Sequence, residues 1–127
     1  MTRPSLAGIE QRAAAATAGP WFQGRNGRPH ESTCDVYSKR EPHEPDSHDI
    51  ATYVHSEEDA AFITDARTAV PAQAAAVRDV LAVADQLDRL AARHPDSETG
   101  RIETAVAHEI RAAITAHIDT TPKENPS

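Results

Sequence analysis

The sequence predicts an α+β fold, a small antiparallel β-meander covered by helices and followed by a C-terminal helical hairpin. Three observations carry this. Short runs of β-type residues, punctuated by Gly, Pro, Asn and Asp, lie between Trp21 and His55. Beyond Ser56 the apolar residues switch to helical spacing. His94-Pro95 then divides that helical stretch in two.

A first helix is predicted over residues 5–18. Ser5 is a good N-cap, and Ile9, Ala13 and Ala16 form a thin apolar stripe. Gly19-Pro20 stops it. Trp21-Phe22-Gln23 reads as an edge strand, and Asn26-Gly27 as a turn whose residues tolerate positive φ. In the run Thr33 to Ser38, Cys34 and Val36 share a face. Residues 39–48, rich in Pro, Glu, Asp and His, read as an exposed loop. Ile50 to His55 alternates, which places Ile50, Thr52 and Val54 opposite Ala51 and Tyr53. So few strands are not stable alone in water, and a helix must cover one face.

That helix begins after Ser56, an N-cap followed by Glu57, Glu58 and Asp59 at the positive end of the helix dipole. Phe62, Ile63, Ala66 and Val70 recur at helical spacing. Pro71 predicts a break or a fresh helix start. From Pro71 to Arg93, Val70, Val77, Ala84 and Ala91 fall seven apart, with Val80, Leu81, Leu87 and Leu90 broadening the stripe. Asp85 and Arg89 form an i,i+4 pair. Asp96-Ser97 caps a last helix in which Ile102, Val106, Ile110, Ile114 and Ile118 repeat every four residues. Thr120 to Ser127 reads as a disordered tail.

The 127 residues fit one domain, divided into 5–70, a hairpin over 71–119 and the tail 120–127. The core is thin. Leu, Ile, Val and Phe supply only 20 side chains, and Ala makes up much of the rest of the apolar content. The expected core residues are Trp21, Phe22, Phe62, Ile63 and Val70. The narrow stripes of the hairpin make Val77, Leu81, Leu87, Leu90, Ile110 and Ile114 the expected interaction surface, with a homodimer as one outcome.

Net charge is −7, but residues 1–40 carry +3. Arg25, Arg28, Lys39 and Arg40 are the candidate phosphate contacts, yet they lack the density and interleaved aromatics of a nucleic-acid site. Cys34 is the single cysteine, so no intrachain disulfide forms. No signal-peptide core and no membrane-length apolar run is present, so a cytoplasmic protein is expected. His43 and His48 flank an acidic loop, with Cys34 and His55 as further ligand candidates, but zinc sites use tighter pairs on rigid elements. No Gly-x-Ser-x-Gly elbow and no complete phosphate loop occurs. The sequence therefore predicts no catalytic residue, no cofactor and no metal ligand.

Two phrases stand out: Ala18-Gly19-Pro20-Trp21, and Asp59-Ala60-Ala61-Phe62-Ile63 running on through Ala66, Arg67, Val70 and Pro71. Together they resemble the Ead-like family of small phage and actinobacterial mobile-element proteins, across roughly residues 10–80. The resemblance implies a phage or mobile-element accessory protein in an actinobacterial host and carries no biochemical activity with it. A non-enzymatic protein acting by protein–protein contact is the expectation. A nucleic-acid-associated regulator and a small metal-dependent enzyme are the alternatives.

Overall fold

The structure is a computed structural model that describes residues 3–25, 34–39 and 49–122. The Asn26-Gly27 turn, Arg28, Arg40, His43, His48 and the end of the tail from Lys123 lie outside the described residues. The elements are helix α1 (Leu6–Ala15), strands β1 (Phe22–Arg25), β2 (Cys34–Tyr37) and β3 (Asp49–Val54), and helices α2 (Glu57–Ala92) and α3 (Glu98–Thr115). The fold is α+β, as predicted. The chain divides into two compact units, one of residues 12–71 and one of residues 1–11 with 72–127.

The three helix starts are set by serine. Ser5 Oγ accepts from Gly8 N–H at 3.2 Å, Ser56 Oγ from Asp59 N–H at 3.2 Å and Ser97 Oγ from Gly100 N–H at 3.0 Å. Each satisfies an amide that the first helical turn leaves without a partner. Ser56 also donates to Glu58 at 2.8 Å, which holds that carboxyl below the usual range.

In the unit of residues 12–71 the sheet order is β1-β2-β3, antiparallel throughout. The core cluster is Cys34, Val36 and Ala60, with Trp21, Ile50, Ala51, Val54 and Ile63 packed against it. The alternation expected in β3 fails. Cys34 pairs with Val54 but Val36 with Ala51, so β3 carries an extra residue, and a second irregularity separates Val36 from Tyr37. The bulges shift the phase, so Ile50, Ala51 and Val54 all reach the core while Thr52 and Tyr53 are exposed. Tyr53 adopts φ 58°, and its N–H is held by the buried Asp35 carboxylate at 3.0 Å.

Three expected core residues, Phe62, Val70 and Phe22, are not in this core. Phe62 is 75% exposed. Ala60 and Ile63 fix the face of α2 that meets the sheet, and Phe62 lies about 200° around the helix from Ala60 and 100° from Ile63. Val70 is 37% exposed. It follows Ile63 by seven residues, about 10 Å along the helix, and strands of four to six residues offer little to cover it. Phe22 is half-buried and outside the cluster.

Pro71 neither breaks α2 nor starts a new helix; it lies inside 36 continuous helical residues. It deletes one backbone bond, that to the Arg67 carbonyl, and helical sequence on both sides outweighs the loss.

In the unit of residues 1–11 and 72–127, the end of α2 and α3 form an antiparallel hairpin. Its seam is made of small residues: Ala74, Ala84 and Ala91 from α2, Gly100 and Ala107 from α3, all buried. Gly100 is required by the tight link, because a Cβ there would run into the His94 carbonyl. The Ile stripe of α3 does not form a single face. A four-residue step advances about 40° past a full turn, so Ile102 and Ile118 end up roughly 160° apart; Ile102 is 55% exposed and the inward line is Gly100, Ala107 and Ile114.

The start of the chain belongs with the hairpin. Leu6 is fully buried. Leu6 N–H donates to Asp119 O and Asp119 N–H to Pro4 O, both at 2.8 Å, making a parallel bridge at Ser5. Arg3 donates to the Thr115 carbonyl, and Glu10 pairs with Arg78 at 2.7 Å. That pair holds the Glu10 carboxyl below its ordinary value and the Arg78 guanidinium above its own. Asp119 accepts from Thr121 N–H at 2.9 Å and is likewise lowered. The segment expected as a tail from Thr120 is thus anchored at Thr121.

Candidate functional site

The two resembling phrases meet in the unit of residues 12–71. Thr17 O accepts from Trp21 Nε1 at 3.1 Å and from Arg67 Nε at 2.9 Å. The Arg67 guanidinium carbon lies 5.9 Å from the centre of the Trp21 ring, within cation–π range. The Gly19-Pro20 bond is cis. A Cβ on Gly19 would come within 2.7 Å of Arg67 Cγ, so only glycine lets the side chain of Arg67 cross the turn. Arg67 is thus the residue that ties the phrases together. Its role is not visible from spacing, because its contact to Thr17 spans 50 positions.

Beside this junction a hollow of about 350 Å³ opens between β1 and α2. Trp21, Phe22 and Gln23 form one wall, and Ala61, Thr64 and Asp65 the other. The Thr64 hydroxyl is buried without a hydrogen-bond partner, an arrangement that costs about 1–3 kcal/mol when nothing satisfies it. Cys34 is a free, buried thiol within the core, as a small strand residue. His55 and Lys39 are exposed.

The hairpin has two flanks. On one, Arg111 of α3 binds Asp85 at 2.7 Å and Asp88 at 2.6 Å. Both carboxylates raise the Arg111 guanidinium, Asp85 first. The expected Asp85–Arg89 pair does not form, because Asp85 is engaged across the hairpin and Arg89 binds Gln86 Oε1 at 2.8 and 3.2 Å. A shallow cleft of about 730 Å³ continues along this flank to the link, with Arg101, Thr104, His108 and Glu109 at its rim and Ala91, Ala92 and Gly100 beneath.

The other flank is apolar. On α2, Val80, Val83, Leu87 and Leu90 follow a three-four-three spacing on the far side of the Ala84–Ala91 seam from Asp85 and Asp88. On α3, Val106 and Ile110 lie on the far side of Ala107 from Arg111. Val80, Val83 and Val106 are 43%, 54% and 42% exposed. The expected interaction residues Val77, Leu81, Leu87, Leu90, Ile110 and Ile114 are all half-buried. Spacing alone puts Val80 and Val106 in the same apolar stripes as Leu87 and Ile110. The signal that separates them is the burial of Ala84, Ala91 and Ala107, since small residues mark where two helices come closest.

Among the described residues, no three His, Cys, Asp or Glu side chains are grouped as a metal would need, and no helix is long and apolar enough to cross a membrane. Comparison with protein-family models, with curated proteins and with solved structures finds no match to this chain.

Proposed function

We propose that this is a non-enzymatic accessory protein of a phage or mobile element that acts by protein–protein contact, made through the apolar flank of the α2–α3 hairpin. The observation that carries this is the run of Val80, Val83 and Val106, exposed together beside half-buried Leu87, Leu90 and Ile110. Apolar stripes of this kind on paired helices are covered in use by further helices. The likeness of the Gly-Pro-Trp and Phe-Ile phrases to Ead-like proteins supports the mobile-element origin, and the Thr17–Trp21–Arg67 junction gives the phrases a shared physical purpose.

A second copy of the chain is the first occupant to test. Sedimentation equilibrium over a concentration series is expected to show reversible dimerisation. Val83→Asp, at a position already 54% exposed, is expected to abolish the dimer and to leave the melting midpoint unchanged at concentrations where the parent is monomeric. A strict monomer at the highest concentrations, or a dimer indifferent to Val83→Asp, refutes self-association through this flank.

A further inference from the structure

We infer that the outer edge of β1, together with the hollow beside it, is a docking groove for an extended, basic segment of a partner protein. This site lies in the other compact unit and does not rest on the hairpin contact.

The form of the occupant follows from the sheet. β1 is an end strand in the order β1-β2-β3, and among the described residues Phe22 to Arg25 pair with β2 alone. Alternate residues of an edge strand turn N–H and C=O groups outward, and among the described residues no strand meets them. A chain that satisfies those groups must itself be extended, as in β-strand addition. The hollow of about 350 Å³ runs between this strand and α2. It accommodates one or two side chains of the added strand, because alternate residues on it point to one face.

The chemistry of the occupant follows from α2. The wall carries Asp65, which among the described residues has no cationic partner. Glu58 and Phe62 precede it by seven and three positions on the same side of the helix, and Phe62 stands 75% exposed at that side. The groove therefore offers an apolar hollow with a carboxylate on its wall; Phe62 lies outside it, beyond Asp65 around the helix. A Lys or Arg two residues from a Val-, Leu- or Ile-type side chain places charge on Asp65 and bulk in the hollow. The net charge of −7 favours approach of a basic segment over an acidic one.

The test uses the full chain and a displayed library of random heptapeptides. Panning is expected to enrich alternating sequences with Lys or Arg at a fixed position. The most enriched peptide, titrated into isotope-labelled protein, is expected to shift the amides of residues 21–25 and 61–65. Asp65→Asn is expected to weaken it about tenfold, Asp65→Lys more, and Asp79→Lys, an equal charge change on the hairpin part of α2, little. Replacing the central residue of the peptide by proline is expected to abolish binding. Unchanged melts of the variants exclude unfolding. Absence of enrichment, selection of acidic peptides, shifts outside these residues, or equal effects of Asp65→Lys and Asp79→Lys overturns the inference. So does exchange protection of the β1 amides without peptide: a concentration-dependent one assigns the edge to a second copy, a concentration-independent one to the chain itself. Val83→Asp leaves peptide binding intact, which separates this result from the hairpin test.

Discussion

Truncating Leu6 and Phe62 to alanine reverses the order that the sequence suggests. Phe62 is the larger side chain and sits in a prominent apolar phrase, but it is 75% exposed, whereas Leu6 is fully buried near the start of the chain. Leu6→Ala removes three carbons. At about 0.8 kcal/mol for each, the transfer loss is about 2.4 kcal/mol. The space left behind raises the cost to about 3–4 kcal/mol, inside the range measured for buried leucines. For a chain of this size each kcal/mol moves the midpoint by about 3–5 °C. Leu6→Ala is then expected to melt about 9–20 °C lower, and Phe62→Ala within about 2 °C of the parent. Thermal unfolding followed by circular dichroism reads both. A Phe62→Ala loss equal to or greater than that of Leu6→Ala would refute the burial pattern of both units.

Other perturbations follow from the polar contacts. Arg111→Gln removes both bridges to Asp85 and Asp88; a small loss of stability is expected at low salt and a vanishing one at high salt, by melts at two ionic strengths. Asp35→Ala leaves the Tyr53 N–H without its carboxylate and is expected to cost about 1–3 kcal/mol in urea unfolding, with Asp35→Asn retaining part of it. Glu10 and Asp119 are held below the ordinary carboxylate range when folded. The unfolded chain binds those protons first as pH falls, so their contribution is complete above the ordinary carboxylate value and is lost as pH drops through the folded values. Urea midpoints against pH are expected to fall in that acid window, less steeply in Glu10→Gln. Gly19→Ala drives a methyl toward Arg67 Cγ and is expected to lower the midpoint while quenching less of the Trp21 signal change seen in Arg67→Ala.

What the sequence made legible is what is decided locally. Ser5, Ser56 and Ser97 act within three residues of themselves, and all three helix starts are where their hydroxyls indicate. The sharing of one face by Cys34 and Val36 is likewise a matter of strand period. The misses are set by distant partners. Pro71 reads as a break by its own chemistry, and only long helical sequence on both sides overrides it. The β3 alternation is undone by bulges that are defined against β2. The heptad spacing marks Ala84 and Ala91 on the α2 side of the hairpin seam, but the α3 side is lined by Gly100 and Ala107 rather than by the full Ile stripe, because closest approach selects small residues. The hollow at β1 joins residues 21–23 to 61–65, a pairing that no local pattern encodes.

The bridge between Ser5 and Asp119 bears on how the chain is made. A ribosome releases residue 5 long before residue 119, and the backbone groups that receive Leu6 do not exist until residue 119 has emerged. Residues 12–71 form one contiguous stretch and can condense while synthesis continues. The first segment has to wait as an open arm with its leucine in water, and its closure over so large a loop comes late. The docking of residues 4–6 against Asp119 is therefore a late step that follows condensation of the segment between them.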